Sequence, residues 1–156
     1  MHIRLLAVGD RQPSWVDHAF ESYTDRLPRQ WQFRLDVTGA AARTKGAAAT
    51  SAKKAEGAKI LARIKPAEFV IVLDERGREF SSRELAKKLD EWQAVGQDLV
   101  FVIGGPDGVS ADVTGRANLS WSLSKLTLPH GLARVLFAEQ LYRAWSLATG
   151  HPYHRD

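Results

Sequence analysis

The chain contains two uninterrupted apolar runs of strand length, Phe69–Leu73 and Leu99–Ile103. A strand that is apolar at every position has both faces buried, and such strands occur in the middle of parallel sheets that helices cover on each side. Segments of helical periodicity separate these runs from one another and from a third apolar run, Ile3–Val8. This alternation predicts the α/β class, with a mostly parallel sheet flanked by helices.

The remaining elements are predicted from periodicity and from end signals. Ser81-Ser82-Arg83-Glu84 has the spacing of a capping box, and Pro13 suits the first turn of a helix. No internal repeat is visible, and a length of 156 residues predicts a single domain over 1–156. The predicted strands are Ile3–Val8, Phe33–Val37, Phe69–Leu73, Leu99–Ile103 and 119–123; the predicted helices are 13–27, 51–64, 82–95 and 131–148, with a short helix before the last strand and a loop over Gly39–Thr50.

The composition argues against several functional classes. The chain has no cysteine, which rules out disulfides, thiolate nucleophiles and cysteine-ligated zinc. The motifs of a P-loop, a Rossmann dinucleotide site, a zinc protease and a serine-hydrolase elbow are absent. No apolar run approaches the roughly 20 residues of a membrane span, and the N-terminus does not have the pattern of a secretory signal. We therefore expect a cytoplasmic protein without a membrane segment and without a catalytic metal.

A glycine-rich loop, Gly104–Gly108, follows one of the buried strands. Ligands of parallel α/β folds bind at the carboxyl ends of the strands, which here are this loop and Leu73-Asp74-Glu75. Glycines let a ligand approach the backbone and leave N–H groups free to bind it. A tight turn without a ligand would use the same residues, so the loop alone leaves both interpretations open.

Positive charge is concentrated in one segment of a chain whose net charge is +4. Between residues 40 and 65, Glu56 is the only acidic side chain among seven basic ones. Such a cluster suits a phosphate backbone, although a solvated helix face would have the same composition. The basic side chains are Arg43, Lys45, Lys53, Lys54, Lys59, Arg63 and Lys65.

The predicted helix 131–148 is apolar around nearly its whole circumference. A helix of this kind needs cover on every side, and in so small a chain we expect a second subunit to supply part of it. The simplest such assembly is a homodimer. The apolar positions are Leu132, Val135, Leu136, Phe137, Leu141, Tyr142 and Trp145.

The C-terminal tail, His151–Asp156, places an aromatic ring, two imidazoles and a guanidinium within six residues. These groups stack on bases and bind phosphates, so the tail is a candidate contact with RNA. A frayed terminus is the alternative interpretation.

Several segments together resemble one family, the ribosomal large subunit methyltransferase H family of the SPOUT class. The resemblance spans the chain and is densest from residue 99 onward. The segments that carry it are Leu6-Ala7-Val8-Gly9, Val70-Ile71-Val72-Leu73-Asp74, Phe101-Val102-Ile103-Gly104-Gly105-Pro106-Asp107-Gly108, Leu123-Ser124-Lys125-Leu126-Thr127-Leu128-Pro129-His130, Arg134-Val135-Leu136, Glu139-Gln140-Leu141-Tyr142-Arg143-Ala144 and His151-Pro152-Tyr153-His154-Arg155.

The resemblance implies a trefoil knot in the C-terminal half, near Leu73, Gly104–Gly108 and Leu123–Pro129, which periodicity alone would not suggest because knots are rare. It also implies a binding site for S-adenosylmethionine. The cofactor positions that it implies are Leu73, Gly104, Leu123, Ser124, Lys125, Leu126, Thr127 and Leu128, and we add the flanking Gly105.

The function that the resemblance implies is methylation of N3 of a pseudouridine in large-subunit (23S) ribosomal RNA. The partners would be a second copy of the chain and either the large ribosomal subunit or the assembled ribosome. His154, or a water near His130, is the candidate base for the N3 proton; if that proton leaves to water, His154 positions the RNA instead. Tyr153 is a candidate to stack on a base, and Arg134, with Arg143 and Arg155, a candidate to hold phosphates. The alternatives are the same chemistry on another RNA, or a catalytically silent ribosome- or RNA-binding module with this fold.

Overall fold

The computed structural model describes residues 1–9, 11–42 and 49–154, which form five strands and five α-helices. A 3₁₀ turn at Arg29–Trp31 lies between the first helix and the second strand. The strands are β1 (Ile3–Val8), β2 (Arg34–Thr38), β3 (Phe69–Glu79), β4 (Leu99–Ile103) and β5 (Leu119–Ser122), and the helices are α1 (Ser14–Thr24), α2 (Ala49–Ala62), α3 (Ser82–Val95), α4 (Ala111–Arg116) and α5 (His130–Thr149).

The five strands form one sheet in the order β2-β1-β4-β3-β5, and every neighbouring pair is parallel. Every residue of β1 and β4 is buried, which is why these strands have no polar alternation. Side chains on one face of the sheet pack with α1, α3 and α5, and those on the other face pack with α2 and α4. The predicted α/β class with a parallel sheet and helices on both faces is confirmed.

The third strand is longer than its apolar run. The prediction ended it at Leu73, whereas β3 continues to Glu79 and its pairing with β5 changes register between Leu73 and Arg78. Gly77 lies in this irregular stretch, and a Cβ there would be 2.7 Å from the carbonyl oxygen of Ser120. Apolar patterning missed this polar extension because only the part of the strand inside the core has to be apolar.

Helix ends agree with the prediction to within a few residues. The capping box is confirmed, since the Ser81 hydroxyl accepts from the backbone N–H of Glu84 and the Glu84 carboxylate accepts from the backbone N–H of Ser81. The first helix is shorter than the predicted 13–27, because Pro13 is its N-cap and the helix ends at Thr24.

After β4 the chain crosses β3 to form β5, and residues 123–129 then return to the carboxyl end of β3 before α5 begins. This path is consistent with the trefoil knot that the family resemblance implies, and the knot itself stays a prediction.

The last helix packs against both α1 and α3. Its buried side chains include the polar Arg134 and Ser146, whereas Leu132 is 45% exposed. No helix of the described residues is both long enough and apolar enough to cross a membrane.

Candidate active site

A cavity of about 910 Å³ lies at the carboxyl edge of the sheet. Its walls come from the ends of β1, β3 and β4, from the glycine loop Gly104–Gly108, and from the segment 123–130 that precedes α5. Parallel α/β folds bind ligands at this edge, so the cavity is the candidate site for a small molecule.

Eight of the nine predicted cofactor residues line this cavity. The exception is Lys125, whose side chain is 87% exposed and places its Nζ 3.6 Å from a carboxylate oxygen of Glu79. Asp74, Glu75 and Asp107 bring carboxylates to the same walls. The eight lining residues are Leu73, Gly104, Gly105, Leu123, Ser124, Leu126, Thr127 and Leu128.

The glycine loop is both a tight turn and a wall of the cavity. The backbone N–H of Gly108 donates to the carbonyl of Gly105 at 3.0 Å, and Gly108 has a φ of +82°, which favours glycine. A Cβ at Gly104 would lie 2.6 Å from the carbonyl oxygen of Gly108. The two interpretations of this loop are therefore compatible, because the glycines that close the turn also bring bare backbone to the cavity.

The buried carboxylate of Glu56 lies against Gly105 of the glycine loop, and no sequence motif identifies Glu56 as a site residue. It is 1% exposed on α2, its Oε2 accepts from the backbone N–H of Ala41 at 3.1 Å, and its Oε1 would be 2.8 Å from a Cβ at Gly105. A side chain at Gly105 would collide with this carboxylate. The sequence feature that could have identified Glu56 is that it is the one acidic side chain in the basic segment 40–65.

Hydrogen bonds fix the segment between β5 and α5 at three points. The Ser122 hydroxyl donates to the carbonyl of Ser124 at 2.9 Å, and the Ser124 hydroxyl accepts from the backbone N–H of Leu126 at 3.0 Å. The Thr127 hydroxyl donates to Glu75, across the cavity wall, at 2.8 Å. The Leu126 side chain is 73% exposed beside the cavity.

Arg134 lies behind the cavity wall and is 2% exposed. Its Nε donates to Nε2 of His130 at 2.9 Å, and one terminal nitrogen donates to the carbonyl of Gly9 at 2.7 Å. To hold a phosphate, as the sequence analysis suggested, the guanidinium would have to leave these partners. In this structure it joins the end of β1 to the start of α5.

His130 lines the cavity and is held uncharged by its surroundings. Burial, followed by the nearby charge of Arg134, lowers the pKa of His130 from 6.5 to about 4, against a smaller opposing effect of a hydrogen bond with the backbone of Gly104. Its Nε2 is already the acceptor for Arg134. The geometry therefore gives no support to His130 as the group that activates a water.

Tyr153 folds back along α5 and packs against the aromatic rings of Tyr142 and Tyr23, at centroid distances of 4.6 and 6.4 Å. Its hydroxyl donates to Glu139 at 2.9 Å, on the carboxylate oxygen that also accepts from Arg143. Burial and this hydrogen bond raise the pKa of Tyr153, so the phenol stays protonated.

Nδ1 of His154 contacts Ser146, and this contact determines which ring nitrogen carries the proton. The hydroxyl of Ser146, which is fully buried, donates to the carbonyl of Arg143 at 2.8 Å and lies 3.2 Å from Nδ1 of His154. A hydroxyl has one proton, so Nδ1 must be the donor in the second contact, and Nε2 then carries the lone pair. This is the tautomer that a general base requires.

The three predicted catalytic residues are not brought together within one chain. Arg134 lies in the first turns of α5, whereas His154 contacts Ser146 near the end of this helix. The 16 residues from His130 to Ser146 span about 24 Å at 1.5 Å per residue. Arg155, the third arginine proposed to hold phosphates, lies outside the described residues.

Comparison with known proteins shows the family. A family model described as "Predicted SPOUT methyltransferase" matches residues 1–154. The chain belongs to the SPOUT methyltransferase family. The resemblance seen in the sequence is thereby confirmed, and the cavity of this SPOUT methyltransferase lies where the family motifs converge.

Relatives match this methyltransferase over their full length. It is 47% identical over 156 residues, covering 100% of both chains, to proteins named Ribosomal RNA large subunit methyltransferase H from Thioalkalivibrio sulfidiphilus and from Laribacter hongkongensis. A methylase family protein of known structure from Neisseria gonorrhoeae is similar in fold, with a TM-score of 0.54 at 13% identity over 90% of this chain and 81% of that one.

Proposed function

We propose that this SPOUT methyltransferase transfers a methyl group from S-adenosylmethionine to N3 of a pseudouridine in the ribosomal RNA of the large subunit. The main support is the similarity, over the whole length of both chains, to relatives named Ribosomal RNA large subunit methyltransferase H. The cavity at the carboxyl edge of the sheet is in accord with this proposal, because eight of the nine implied cofactor positions line it.

The cavity suits S-adenosylmethionine in size and in chemistry. Its volume of about 910 Å³ is within the range of small-ligand pockets. Leu73, Leu128 and the bare backbone of the glycine loop suit an adenine ring, and the carboxylates of Asp74 and Asp107 suit a ligand with positive charge. Bound there, the cofactor supplies a methyl group already activated by its sulfonium, so the reaction requires no metal.

The work of the protein is then mainly alignment. Holding the two reactants in line can lower the activation free energy by several kcal/mol, provided that the walls of the site are rigid. The hydrogen bonds of Ser122, Thr127 and Glu56 fix the cavity walls in the way that this requires. In this proposal, Tyr153 and Arg143 contact the RNA around the target base.

The N3 proton of the pseudouridine has to leave, and His154 is the proposed base. Its contact with Ser146 leaves the lone pair on Nε2. Because His154 lies about 24 Å along α5 from the level of the cavity, the His154 that serves a given cavity has to come from another copy of the chain.

A homodimer would meet this requirement. Trp15 of α1 is 54% exposed and Leu132 of α5 is 45% exposed, and they lie at the adjoining ends of two helices where Gly131 approaches Val16 closely. A twofold axis across α5 would cover these apolar side chains and place the tail of each subunit at the cavity of the other. The assembly would act on ribosomal RNA in the cytoplasm.

Two measurements test the proposed function. Calorimetry of the purified protein with S-adenosylmethionine, without RNA, should show binding, whereas an RNA-binding module without catalytic function would give no heat. Mass spectrometry of 23S ribosomal RNA from cells that lack this protein should show that one pseudouridine no longer carries its methyl group. An unchanged set of modifications would contradict the proposal, and a methyl group missing from another RNA would correct the substrate.

A further inference from the structure

His130 is the one histidine among the described residues that line the cavity. Its Nε2 accepts a hydrogen bond from Nε of Arg134 at 2.9 Å, so the proton of the neutral ring has to be on Nδ1. The backbone of Gly104 lies beside the ring and favours its protonated form, as a carbonyl acceptor near Nδ1 does. The ring therefore links the start of α5 to the first residue of the glycine loop.

Arg134 enforces this state. A guanidinium is a donor only and stays charged, so a protonated Nε2 would place two N–H groups and two positive charges against each other. The second hydrogen bond of Arg134, to the carbonyl of Gly9, anchors the guanidinium at the end of β1. The imidazole of His130 thus lies between the charged guanidinium of Arg134 and the cavity.

An uncharged wall matters because the proposed cofactor is a cation. S-Adenosylmethionine carries a sulfonium and an ammonium against one carboxylate, and a positive imidazolium at the wall would repel it. We infer that Arg134 is a positioning residue which keeps His130 neutral and fixed on Gly104, so that protons do not compete with the cofactor for the cavity. This inference rests on the proposed cofactor, but the state of the imidazole can be measured without it.

Other charged groups lie near this pair. The end of β3 contributes Asp74, Glu75 and Arg76 to the same cavity, and the glycine loop contributes Asp107. Asp17 of α1 acts on Arg134 through its charge and opposes the effect of burial on the pKa of that guanidinium. No hydrogen bond to His130 from any of these five side chains is seen among the described residues, whereas Arg134 contacts the ring directly.

The test compares the wild type with Arg134→Gln, and uses Arg29→Gln, which removes an exposed arginine from the 3₁₀ turn, as the matched control. Nitrogen-15 NMR of the histidine rings, without cofactor, should show His130 as the Nδ1–H form in the wild type, with no titration between pH 7 and 5. Arg134→Gln removes the charge and the guanidinium donor but leaves the ring buried, so the pKa of His130 should rise above its wild-type value and Nδ1 should no longer hold the proton exclusively. A wild-type His130 that titrates near pH 6.5, or that carries its proton on Nε2, would overturn the inference.

Calorimetry with S-adenosylmethionine at pH 7 and pH 5 measures the consequence. The Kd of the wild type and of Arg29→Gln should change by less than about 1.2-fold. The Kd of Arg134→Gln should rise by more than this, but by less than the roughly 25-fold of a full return of His130 to its ordinary pKa, because the ring stays buried. Equal pH dependence of Arg134→Gln and wild type would overturn the inference. A wild type that binds no S-adenosylmethionine would overturn the proposed function instead, whatever the NMR shows.

A second variant covers the possibility that Arg134→Gln does not fold. His130→Gln cannot ionise, yet its amide can both donate and accept, so its Kd for S-adenosylmethionine should change by less than about 1.2-fold between pH 7 and pH 5. If turnover fell by the 10²–10⁴-fold that is usual for the loss of a general base while the Kd stayed constant, His130 would be a catalytic residue and the inference would be wrong.

Discussion

At the scale of single residues, polar side chains that bind backbone groups hold the cavity of this methyltransferase in shape. Glu56 accepts from the N–H of Ala41, Arg134 donates to the carbonyl of Gly9, and Ser122 donates to the carbonyl of Ser124. The sequence predicted the glycines and the leucines of the wall because the family resemblance and the strand ends identify them. It could not predict these partners, since backbone donors and acceptors leave no trace in the sequence.

The lowered pKa of His130 makes the stability of the protein depend on pH. The ring has a pKa of about 4 in the fold and its ordinary value of 6.5 in the unfolded chain, so the unfolded state binds more protons between these values. The free energy of unfolding should therefore fall as the pH drops from 6.5 to 4, by at most about 3 kcal/mol and by less because the ring is only half-buried. Urea unfolding between pH 7 and pH 4.5 should show a smaller fall for His130→Gln than for the wild type. Equal falls would contradict this account of the site.

The proposed base makes a second prediction at this scale. His154→Ala should lower kcat by about 10²–10⁴-fold and remove one limb of the pH–rate profile, because the variant lacks the lone pair of Nε2. His2→Ala, which removes an exposed histidine paired with Asp98 at the opposite edge of the sheet, is the control. If the effect of His154→Ala appeared in KM while the pH profile kept its shape, His154 would position RNA rather than accept the proton.

At the scale of elements, apolar patterning predicted most of the framework. It identified β1, β4 and the buried part of β3, and the capping box marked the start of α3 correctly. It missed the extension of β3 beyond Leu73, because those residues lie outside the core. It predicted the apolar side chains of α5, but not that this helix also buries Arg134 and Ser146 against polar partners.

The basic segment tests whether α2 contributes to RNA binding. Lys53 and Lys54 lie on α2, which covers one face of the sheet, while Arg43 and Lys45 of the same segment lie outside the described residues. Replacing Lys53 and Lys54 by alanine should reduce the slope of log Kd against log salt by about 0.7–0.9 for each phosphate that α2 no longer neutralises. The control is the same double change at Lys87 and Lys88 of α3, which covers the other face. If the slope in the α2 variant equalled that of the wild type and of the α3 control, α2 would be a solvated surface that does not bind RNA.

At the scale of the whole molecule, the fold separates the two halves of the proposed site. The cavity lies at the N-terminal end of α5, and the tail with Tyr153 and His154 packs along its C-terminal half. The sequence identifies both halves as candidate regions but not their separation, because that separation is known only once both are placed on α5. The proposed dimer would bring the two halves together.

The exposed apolar side chains of Trp15 and Leu132 predict where the proposed dimer forms. Leu132→Glu should place a charge among apolar side chains and convert the dimer to a monomer at micromolar concentration, as measured by sedimentation. Val95→Glu is the matched control, because Val95 is 70% exposed at the end of α3. A wild type that sediments at 17.3 kDa would contradict both the dimer and the shared site.

Complementation between two inactive variants tests the shared site most directly. Gly104→Val should abolish cofactor binding, because its side chain would collide with the carbonyl of Gly108, and deletion of Tyr153–Asp156 should abolish methyl transfer while cofactor binding remains. Each variant alone should transfer no methyl group from S-adenosylmethionine to 23S ribosomal RNA. A mixture that exchanges subunits should recover about a quarter of the wild-type activity, since half of the dimers would be mixed and each would hold one complete site. No recovery in mixtures that sedimentation shows to contain mixed dimers would contradict the account.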